Sequence, residues 1–210
     1  MSVACPTVLA TTKEEYDIQM KRAASFAPRI QIDLMDGDFA KPRSVDIDKI
    51  WWPDNIVADI HLMYKHPMDH IDELVQLKPN LVIIHAEAKV DLKLFAQKLH
   101  QAGIAAGICL LADTPVDQIK EVINEFEHLL IFGGTLGSFG GQADLSLATK
   151  ASEAKELNPS LEIGWDGGVN DKIAKPLSLS GVDVLNAGGF IQKAEDPEEA
   201  YNRLVSAIQE

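Results

Sequence analysis

The chain has 210 residues, of which 46% are hydrophobic, and a formal net charge of −13. It is long enough to bury one sizeable core, and its charge, with no Lys/Arg cluster to oppose it, argues against nucleic acids and anionic membranes as partners. Small anions remain possible ligands, because backbone N–H groups of glycine-rich turns and helix N-termini can hold a phosphate.

The sequence shows no recognisable targeting or membrane segment. No apolar run reaches the roughly 18 residues of a membrane-spanning helix, and the first residues lack the basic and apolar regions of a signal peptide. The two cysteines, Cys5 and Cys109, do not make a disulfide framework. We therefore expect a cytoplasmic protein.

Short apolar runs alternate with longer amphipathic stretches, a pattern typical of repeated strand–helix units around a parallel sheet. Strands are predicted at 2–9, 29–35, 56–63, 81–85, 105–111, 129–132, 161–165 and 182–187. Helices are predicted at 13–26, 44–50, after Pro67, and at 91–102, 116–123, 145–157 and 197–208. Eight such units predict a single (β/α)₈ barrel domain over residues 1–210.

The second predicted strand carries a polar face. Because strand side chains alternate between two sides, Gln31, Asp33 and Met35 point the same way, and we expect them to point inward. Burying Asp33 costs several kcal/mol unless it is paired or bound to a cation. A similar carboxylate, Asp166, ends the seventh strand, and two strand-end aspartates facing one space indicate acid/base chemistry. The alternative is a turn or cap, which we favour for Asp36.

Histidines on the third and fourth strands could join these carboxylates. His61 is predicted to point inward, either as a hydrogen-bonded core residue or, with Asp33 and Asp166, as a ligand of a catalytic divalent metal. His85 could hydrogen-bond Glu87 or a neighbouring strand. The other four histidines are expected on the surface: His66, His70, His100 and His128.

Paired glycines follow the last three strands, where barrels commonly build a phosphate cup. Glycine allows backbone N–H groups to approach an anion without a Cβ in the way. The predicted phosphate-binding residues are Gly140, Gly141, Gly167, Gly168, Gly188 and Gly189.

Five motifs, in order along nearly the whole chain, resemble those of the ribulose-phosphate 3-epimerase family. They are Asp33-Leu34-Met35-Asp36-Gly37, His61-Leu62-Met63 with Pro67, His85-Ala86-Glu87-Ala88, Phe139-Gly140-Gly141-Gln142 and Asp166-Gly167-Gly168-Val169. The resemblance implies a TIM barrel of the ribulose-phosphate-binding type. It also implies that Asp33 and Asp166 are the two acid/base residues and that both, with His61, bind a divalent metal ion (Zn, Mn, Fe or Mg).

By the same resemblance, the reaction is epimerisation at C3 of a ketose phosphate, ribulose 5-phosphate to xylulose 5-phosphate or a close relative. One aspartate would remove a proton from one face and the other would return a proton to the opposite face, through a metal-stabilised enediolate. The expected partners are the phosphorylated sugar and further copies of the chain in a homo-oligomer. The expected substrate-binding residues are Thr7, Met35, Met63 and His85.

The chain departs from the family pattern at several positions. Gln31 stands where the family has a fourth metal ligand, a histidine, and Thr7 stands where it has a serine. Further along the chain, Leu111-Ala112 replaces Asn-Pro, Gly133 replaces a methionine, and Gly137-Ser138 replaces Pro-Gly.

The most consequential departure is Gln31. Its amide could give a cation a neutral oxygen, which suits Mg²⁺ or Mn²⁺ better than Zn²⁺, or it could donate N–H groups directly to the enediolate. Two alternative functions remain: another sugar-phosphate isomerase or lyase of the same barrel type, and a non-catalytic sugar-phosphate-binding protein. Two buried carboxylates beside an anion argue against the second alternative.

Overall fold

In the computed structural model, which describes residues 2–138 and 141–209, eight parallel strands form a closed barrel in sequence order. The strands are β1 (Val3–Leu9), β2 (Arg29–Met35), β3 (Val57–Met63), β4 (Leu81–His85), β5 (Ala105–Leu110), β6 (His128–Phe132), β7 (Glu162–Asp166) and β8 (Val184–Ala187). The predicted (β/α)₈ barrel is confirmed. Within the described residues, no helix is long and apolar enough to cross a membrane.

Seven α-helices are described around the barrel. They are α1 (Lys13–Ala24), α2 (Ile71–Leu77), α3 (Leu92–Gln101), α4 (Thr149–Leu157), α5 (Ala174–Leu179), α6 (Gly189–Gln192) and α7 (Pro197–Gln209). The side chain of Thr12 caps α1 by accepting a hydrogen bond from the backbone of Glu15. Asp91 caps α3 in the same way, and Gly103, in the left-handed region with φ 75°, follows its end.

Several predicted helices are shorter than expected. The connection after β2 contains a single 3₁₀ turn, Ile47–Lys49, and the connection after β5 contains two, Val116–Ile119 and Ile123–Glu125, where one helix was predicted. The predicted helices after Pro67 and at 145–157 each begin with a 3₁₀ turn before the α-helix. The connections after β2 and β5 are bounded by proline or cut by polar residues, so they do not sustain helical hydrogen bonding over several turns.

The strand register places the polar residues of different strands side by side. Asp33 of β2 pairs with His61 of β3, and Asp166 of β7 pairs with Phe132 of β6 and Asn186 of β8. The alternate residues of β2, such as Ile32, belong to the core between the barrel and its helices. The sheet therefore buries apolar side chains on its outer face and gathers polar groups inside.

An ion-pair network fills the N-terminal end of the barrel. Arg29 Nε donates to Asp59 Oδ2 at 2.6 Å, and the terminal nitrogens of Arg29 donate to both carboxylate oxygens of Glu162 at 2.8 and 2.7 Å. Asp59 is 3% exposed. Burial raises its pKa, although Arg29 and the amide of Asn80 oppose that rise. The network supports the barrel at the end away from the candidate site.

The prediction that His128 lies on the surface is wrong, since the residue is buried. β6 begins at His128 rather than at Leu129, so the side chain points inward with Leu130 and Phe132. There His128 Nδ1 lies 2.8 Å from Glu162 Oε2. The other histidines predicted on the surface lie at or near it: His66 and His100 are exposed and His70 is half-buried.

Candidate active site

Three ionisable side chains from β2, β3 and β7 meet inside the barrel near the C-terminal strand ends. The ligand atoms of Asp33, His61 and Asp166 all lie within 4.8 Å of one another. His61 Nδ1 is 3.1 Å from Asp33 Oδ1. His61 and Asp33 are buried, and Asp166 is partly buried. The structure thus brings together the three residues that the sequence predicted as metal ligands.

Gln31, the fourth predicted ligand, lies between the two carboxylates. Its amide nitrogen donates to Asp33 Oδ1 at 2.9 Å and to Asp166 Oδ2 at 2.6 Å. One neutral donor therefore bridges two acids that would otherwise face each other across a small distance. Turning the amide over would present its oxygen to the same space.

The environment of Asp166 favours its protonated form. Burial and, to a lesser extent, the nearby charge of Asp33 raise the pKa of this carboxyl to about 7, although the hydrogen bond from the Gln31 amide opposes the rise. A carboxyl group that titrates near neutral pH can both accept and return a proton. This property suits an acid/base residue.

His85 lies behind His61, away from the carboxylates. The two Nε2 atoms are 2.9 Å apart, and His85 Nδ1 is 3.5 Å from Glu87 Oε2. Burial lowers the pKa of His85 to about 4. The rings of Phe39 and Phe132 lie beside the His85 ring, at centroid distances of 4.7 and 6.0 Å. His85 is thus a neutral, enclosed imidazole, and both partners suggested from the sequence, Glu87 and a neighbouring strand, lie beside it.

The loop after β5 is fixed by two residues that sequence reasoning did not single out for this role. Lys150 Nζ donates to the carbonyl oxygens of Leu111, Ala112 and Thr114 at 2.7, 2.8 and 2.9 Å. Glu87 Oε1 accepts from the backbone N–H of Leu111 at 3.1 Å and from the hydroxyl of Thr114. No sequence pattern points to Lys150, because its partners lie on a distant segment.

The remaining predicted substrate-binding residues are buried around the same interior. Met35 and Met63 pack together with Ala40 in a small apolar cluster. Thr7 is 2% exposed and lies beside Gln31 in the register of β1 with β2. The structure places these side chains near the cluster, and their contact with a substrate stays a prediction.

The predicted phosphate-binding glycines border a cavity of about 200 Å³. Its lining includes Gly141, Gly167, Gly168, Gly188 and Gly189. Gly168 has φ 70°, and a Cβ there would collide with the backbone of Ala143, so the position requires glycine. Because Gly167 and Gly168 directly follow Asp166, the cavity lies next to the carboxylate cluster. Gly140 lies outside the described residues.

The donor set of the cluster fits a divalent cation. Two carboxylate oxygens and one imidazole nitrogen converge, and the Gln31 amide can supply a fourth, oxygen ligand after turning over. This oxygen-rich set suits Mg²⁺ or Mn²⁺ and weakens the preference for Zn²⁺. A second group, His61, His85 and Cys109, also lies within 4.8 Å, but it is fully buried.

Comparison with known proteins agrees with the geometry. The sequence matches the model of the ribulose-phosphate 3 epimerase family over residues 3–192. It is 31% identical to the ribulose-phosphate 3-epimerase of a Helicobacter pylori strain over 195 residues, which cover 89% of each chain. It is 28% identical to the Bacillus subtilis enzyme of the same name over 184 residues, or 83% of this chain and 84% of that one.

Solved structures share the fold at low sequence identity. The 3-hexulose-6-phosphate synthase of Salmonella typhimurium superposes with a TM-score of 0.75 at 15% identity, covering 100% of this chain and 99% of that one. The phosphoribosyl anthranilate isomerase of Thermococcus kodakaraensis gives a TM-score of 0.67 at 10% identity, with 100% and 99% covered. These likenesses show the barrel fold alone. The family match and the curated relatives, by contrast, span most of the sequence: the chain belongs to the ribulose-phosphate 3-epimerase family.

Proposed function

We propose that the protein epimerises a ketose phosphate at C3, interconverting ribulose 5-phosphate and xylulose 5-phosphate or a close relative of this pair. Membership of the family makes it an isomerase. The observation that carries the proposal is the pair of carboxylates, Asp33 and Asp166, held by one amide beside a glycine-lined cavity. We further propose that it acts as one barrel domain over residues 1–210 and as a homo-oligomer.

Epimerisation requires proton transfer on both faces of a carbon next to a carbonyl group. Asp33 and Asp166 come from β2 and β7, on different sides of the barrel interior, so a planar sugar chain between them would meet one carboxylate on each face. In one direction of the reaction Asp33 removes the C3 proton and Asp166 delivers a proton to the opposite face. In the reverse direction the roles exchange.

The enediolate formed between these two steps carries negative charge that the site must stabilise. The neighbouring groups able to stabilise this negative charge are the Gln31 amide and the His61 ring. Asp33, His61, Asp166 and the Gln31 oxygen would hold a divalent cation, which when bound supplies Lewis-acid stabilisation of this charge. Met35 and Met63 add a non-protic wall.

The substrate phosphate is assigned to the 200 Å³ cavity lined by Gly141, Gly168, Gly188 and Gly189. No Lys or Arg side chain is among the described residues that line this cavity, so backbone N–H groups are the donors available to the anion. A phosphate held there lies beside Gly167 and Gly168, immediately after Asp166, and this fixes the direction in which the sugar chain enters the carboxylate cluster.

A proton-exchange experiment in D₂O tests the proposal. Wild-type protein is incubated with ribulose 5-phosphate, xylulose 5-phosphate and other ketose phosphates, with added Mg²⁺, Mn²⁺ or Zn²⁺ and with a chelator, and followed by ¹H NMR. We expect loss of the C3 proton signal and appearance of the C3 epimer carrying deuterium.

The positions of exchange discriminate between the alternatives. Exchange at C1 without C3 epimerisation, or release of a carbon fragment, would indicate an isomerase or lyase acting elsewhere on the sugar. Phosphate-dependent binding without exchange in any substrate would indicate a binding protein. The corresponding sugars without phosphate are the control, because they cannot use the glycine-lined cavity as a phosphate site.

A further inference from the structure

A line of buried polar side chains leads away from Asp33 through His61 and His85 to Glu87. The contacts along it are 3.1 Å from Asp33 Oδ1 to His61 Nδ1, 2.9 Å between the two Nε2 atoms, and 3.5 Å from His85 Nδ1 to Glu87 Oε2. Both histidines are 0% exposed. When both rings are neutral, each imidazole carries one proton, so the protons on this line cannot be placed independently.

In one arrangement, the proton of His61 is on Nδ1 and is donated to Asp33. The atoms at the Glu87 end of the line then lack hydrogen-bond partners. His61 Nε2 must then accept from His85 Nε2–H, which leaves His85 Nδ1 as a bare acceptor facing the carboxylate oxygen of Glu87. His85 Nδ1 and Glu87 Oε2 are two of the buried atoms that have no hydrogen-bond partner among the described residues. Buried unpaired groups are costly and require an explanation.

The opposite arrangement satisfies both of these atoms. His61 Nε2–H then donates to His85 Nε2, and His85 Nδ1–H points at Glu87 Oε2, where a closure of a few tenths of an ångström completes a hydrogen bond. Each ring still carries one proton, so no proton is gained or lost. His61 Nδ1 is now a free lone pair beside Asp33 Oδ1, which is the state required of a metal ligand.

We propose that His85 and Glu87 are positioning residues that set the tautomer of His61, so that cation binding at Asp33, His61 and Asp166 moves the His85 proton from Nε2 to Nδ1. The proposal rests on the cation site of the proposed function. In this role His85 and Glu87 act through His61 rather than on the reacting atoms. Carboxylates that orient metal-binding histidines are common. Here the imidazole of His85 lies between the carboxylate, Glu87, and the metal-binding histidine, His61.

Glu87 is well placed to act as the fixed end of the line. Its other oxygen, Oε1, accepts from Leu111 N–H and from the Thr114 hydroxyl, and Lys150 holds the carbonyls of the same loop. Oε2 is therefore presented to His85 by a carboxylate that cannot rotate freely. The Leu111-Ala112 segment, where the family pattern has Asn-Pro, is thereby tied to the candidate metal site.

Nitrogen-15 NMR of the histidine rings tests the proposal directly, because the two tautomers have distinct ring shifts. Wild-type protein is measured in chelator and after loading with zinc, with the His85 signals assigned from a His85→Gln variant. We expect the His85 proton on Nε2 in chelator and on Nδ1 with zinc. The same His85 tautomer in both conditions would overturn the proposal.

Glu87→Gln provides a second, nearly isosteric test. The Gln oxygen can keep the contacts to Leu111 and Thr114, while its NH₂ group replaces Oε2 and donates to His85 Nδ1, which locks the arrangement unsuited to metal binding. We expect the His85 proton to stay on Nε2 and zinc affinity to fall by about 10–100-fold. The matched control is Glu162→Gln, which alters the carboxylate beside buried His128 at the other end of the barrel and should leave zinc affinity unchanged.

Two further outcomes would count against the proposal. If Cys109→Ser abolished zinc binding, or if a His85 nitrogen showed the shift of a zinc ligand, the cation would occupy the deeper group of His61, His85 and Cys109. If wild-type protein bound no zinc by calorimetry, the proposal would fall together with the metal part of the proposed function. Zinc binding without a change of His85 tautomer would overturn the positioning role of His85 and Glu87 but leave the metal site of the proposed function standing.

Discussion

The amide nitrogen of Gln31 lies 2.6 Å from Asp166 Oδ2 and donates to Asp33 Oδ1 as well. A single neutral donor thus joins the two carboxylates on which the proposed chemistry depends. It cannot neutralise them, and burial together with the charge of Asp33 raises the pKa of Asp166. The two carboxylates therefore repel each other when both are ionised, and either a proton or a bound cation relieves this repulsion.

The first prediction concerns stability against pH in chelator. Because the pKa of Asp166 is about 7 in the folded protein and lower in the unfolded chain, its stabilising contribution is full below pH ~4 and is lost as pH rises through ~7. Asp166→Asn removes this dependence. By urea unfolding, the free energy of unfolding of the variant relative to wild type should increase by on the order of 2–4 kcal/mol between pH 4.5 and 7.5.

A difference between the two proteins that stays constant over this pH range would contradict the raised pKa. Adding Mn²⁺ is the internal control. A cation relieves the same repulsion, so the pH dependence of wild type should flatten when it is present.

The second prediction is that the two aspartates are separately indispensable. Asp33→Asn or Asp166→Asn should abolish C3 epimerisation, because each removes the proton carrier on one face, while circular dichroism shows an intact barrel. One variant should retain exchange of the C3 proton from the remaining face, measured by NMR in D₂O. Near-wild-type turnover by either variant would rule out the two-base mechanism.

Much of the fold could be predicted because the barrel repeats one local signal. Apolar strands with polar residues at their carboxyl ends, such as β2 with Asp33 and β7 with Asp166, determine both the strand positions and the inward side. Helix lengths were less predictable. The 3₁₀ turns after β5 occur where local propensity is weak and packing decides.

The central cluster could be predicted for the same reason, whereas its surroundings could not. Alternation along single strands was sufficient to place Gln31 and His61 inside. Lys150 and Arg29 act on partners far away in sequence, at separations that no periodic pattern encodes. His128 was wrongly predicted on the surface because the sixth strand was predicted to begin at Leu129. A shift of one residue in the start of a strand changes which residues belong to the barrel wall.

The third prediction tests the glycine cavity. Gly188→Val puts a branched side chain at the end of β8, where backbone N–H groups are assigned to the phosphate. KM for ketose phosphates should rise by about tenfold or more, as expected for a lost interaction of at least about 1.4 kcal/mol. Some fall in Tm is also expected, because a φ of −89° with a ψ of −82° at Gly188 disfavours a β-branched residue, so KM is the deciding measurement. Unchanged KM would place the phosphate elsewhere.

The fourth prediction concerns the opposite end of the barrel. Arg29→Met leaves Asp59 as a buried carboxylate without its guanidinium partner, which should cost about 3–5 kcal/mol. For a domain of this size, Tm should fall by about 6–20 °C, while kcat measured well below that temperature stays near wild type. Lys120→Met, which breaks the exposed pair with Asp117, is the control and should leave Tm nearly unchanged. Equal Tm values for both variants would contradict the structural role of Arg29.

The last prediction concerns Gln31, the residue at which this chain departs most clearly from the family pattern. Gln31→His replaces an amide with an imidazole nitrogen, so zinc affinity should rise by about 10–100-fold, whereas Mg²⁺ affinity changes less. Both are measured by competition with a chromophoric chelator. Gln31→Leu is the matched control, because it removes the bridge between the carboxylates without adding a ligand. If Gln31 weakens an ancestral metal site, turnover should rise along with zinc affinity in Gln31→His. If Gln31→His binds zinc no more tightly than wild type, Asp33, His61 and Asp166 do not form a metal site, and the Gln31 amide itself becomes the group that must meet the charge of the enediolate.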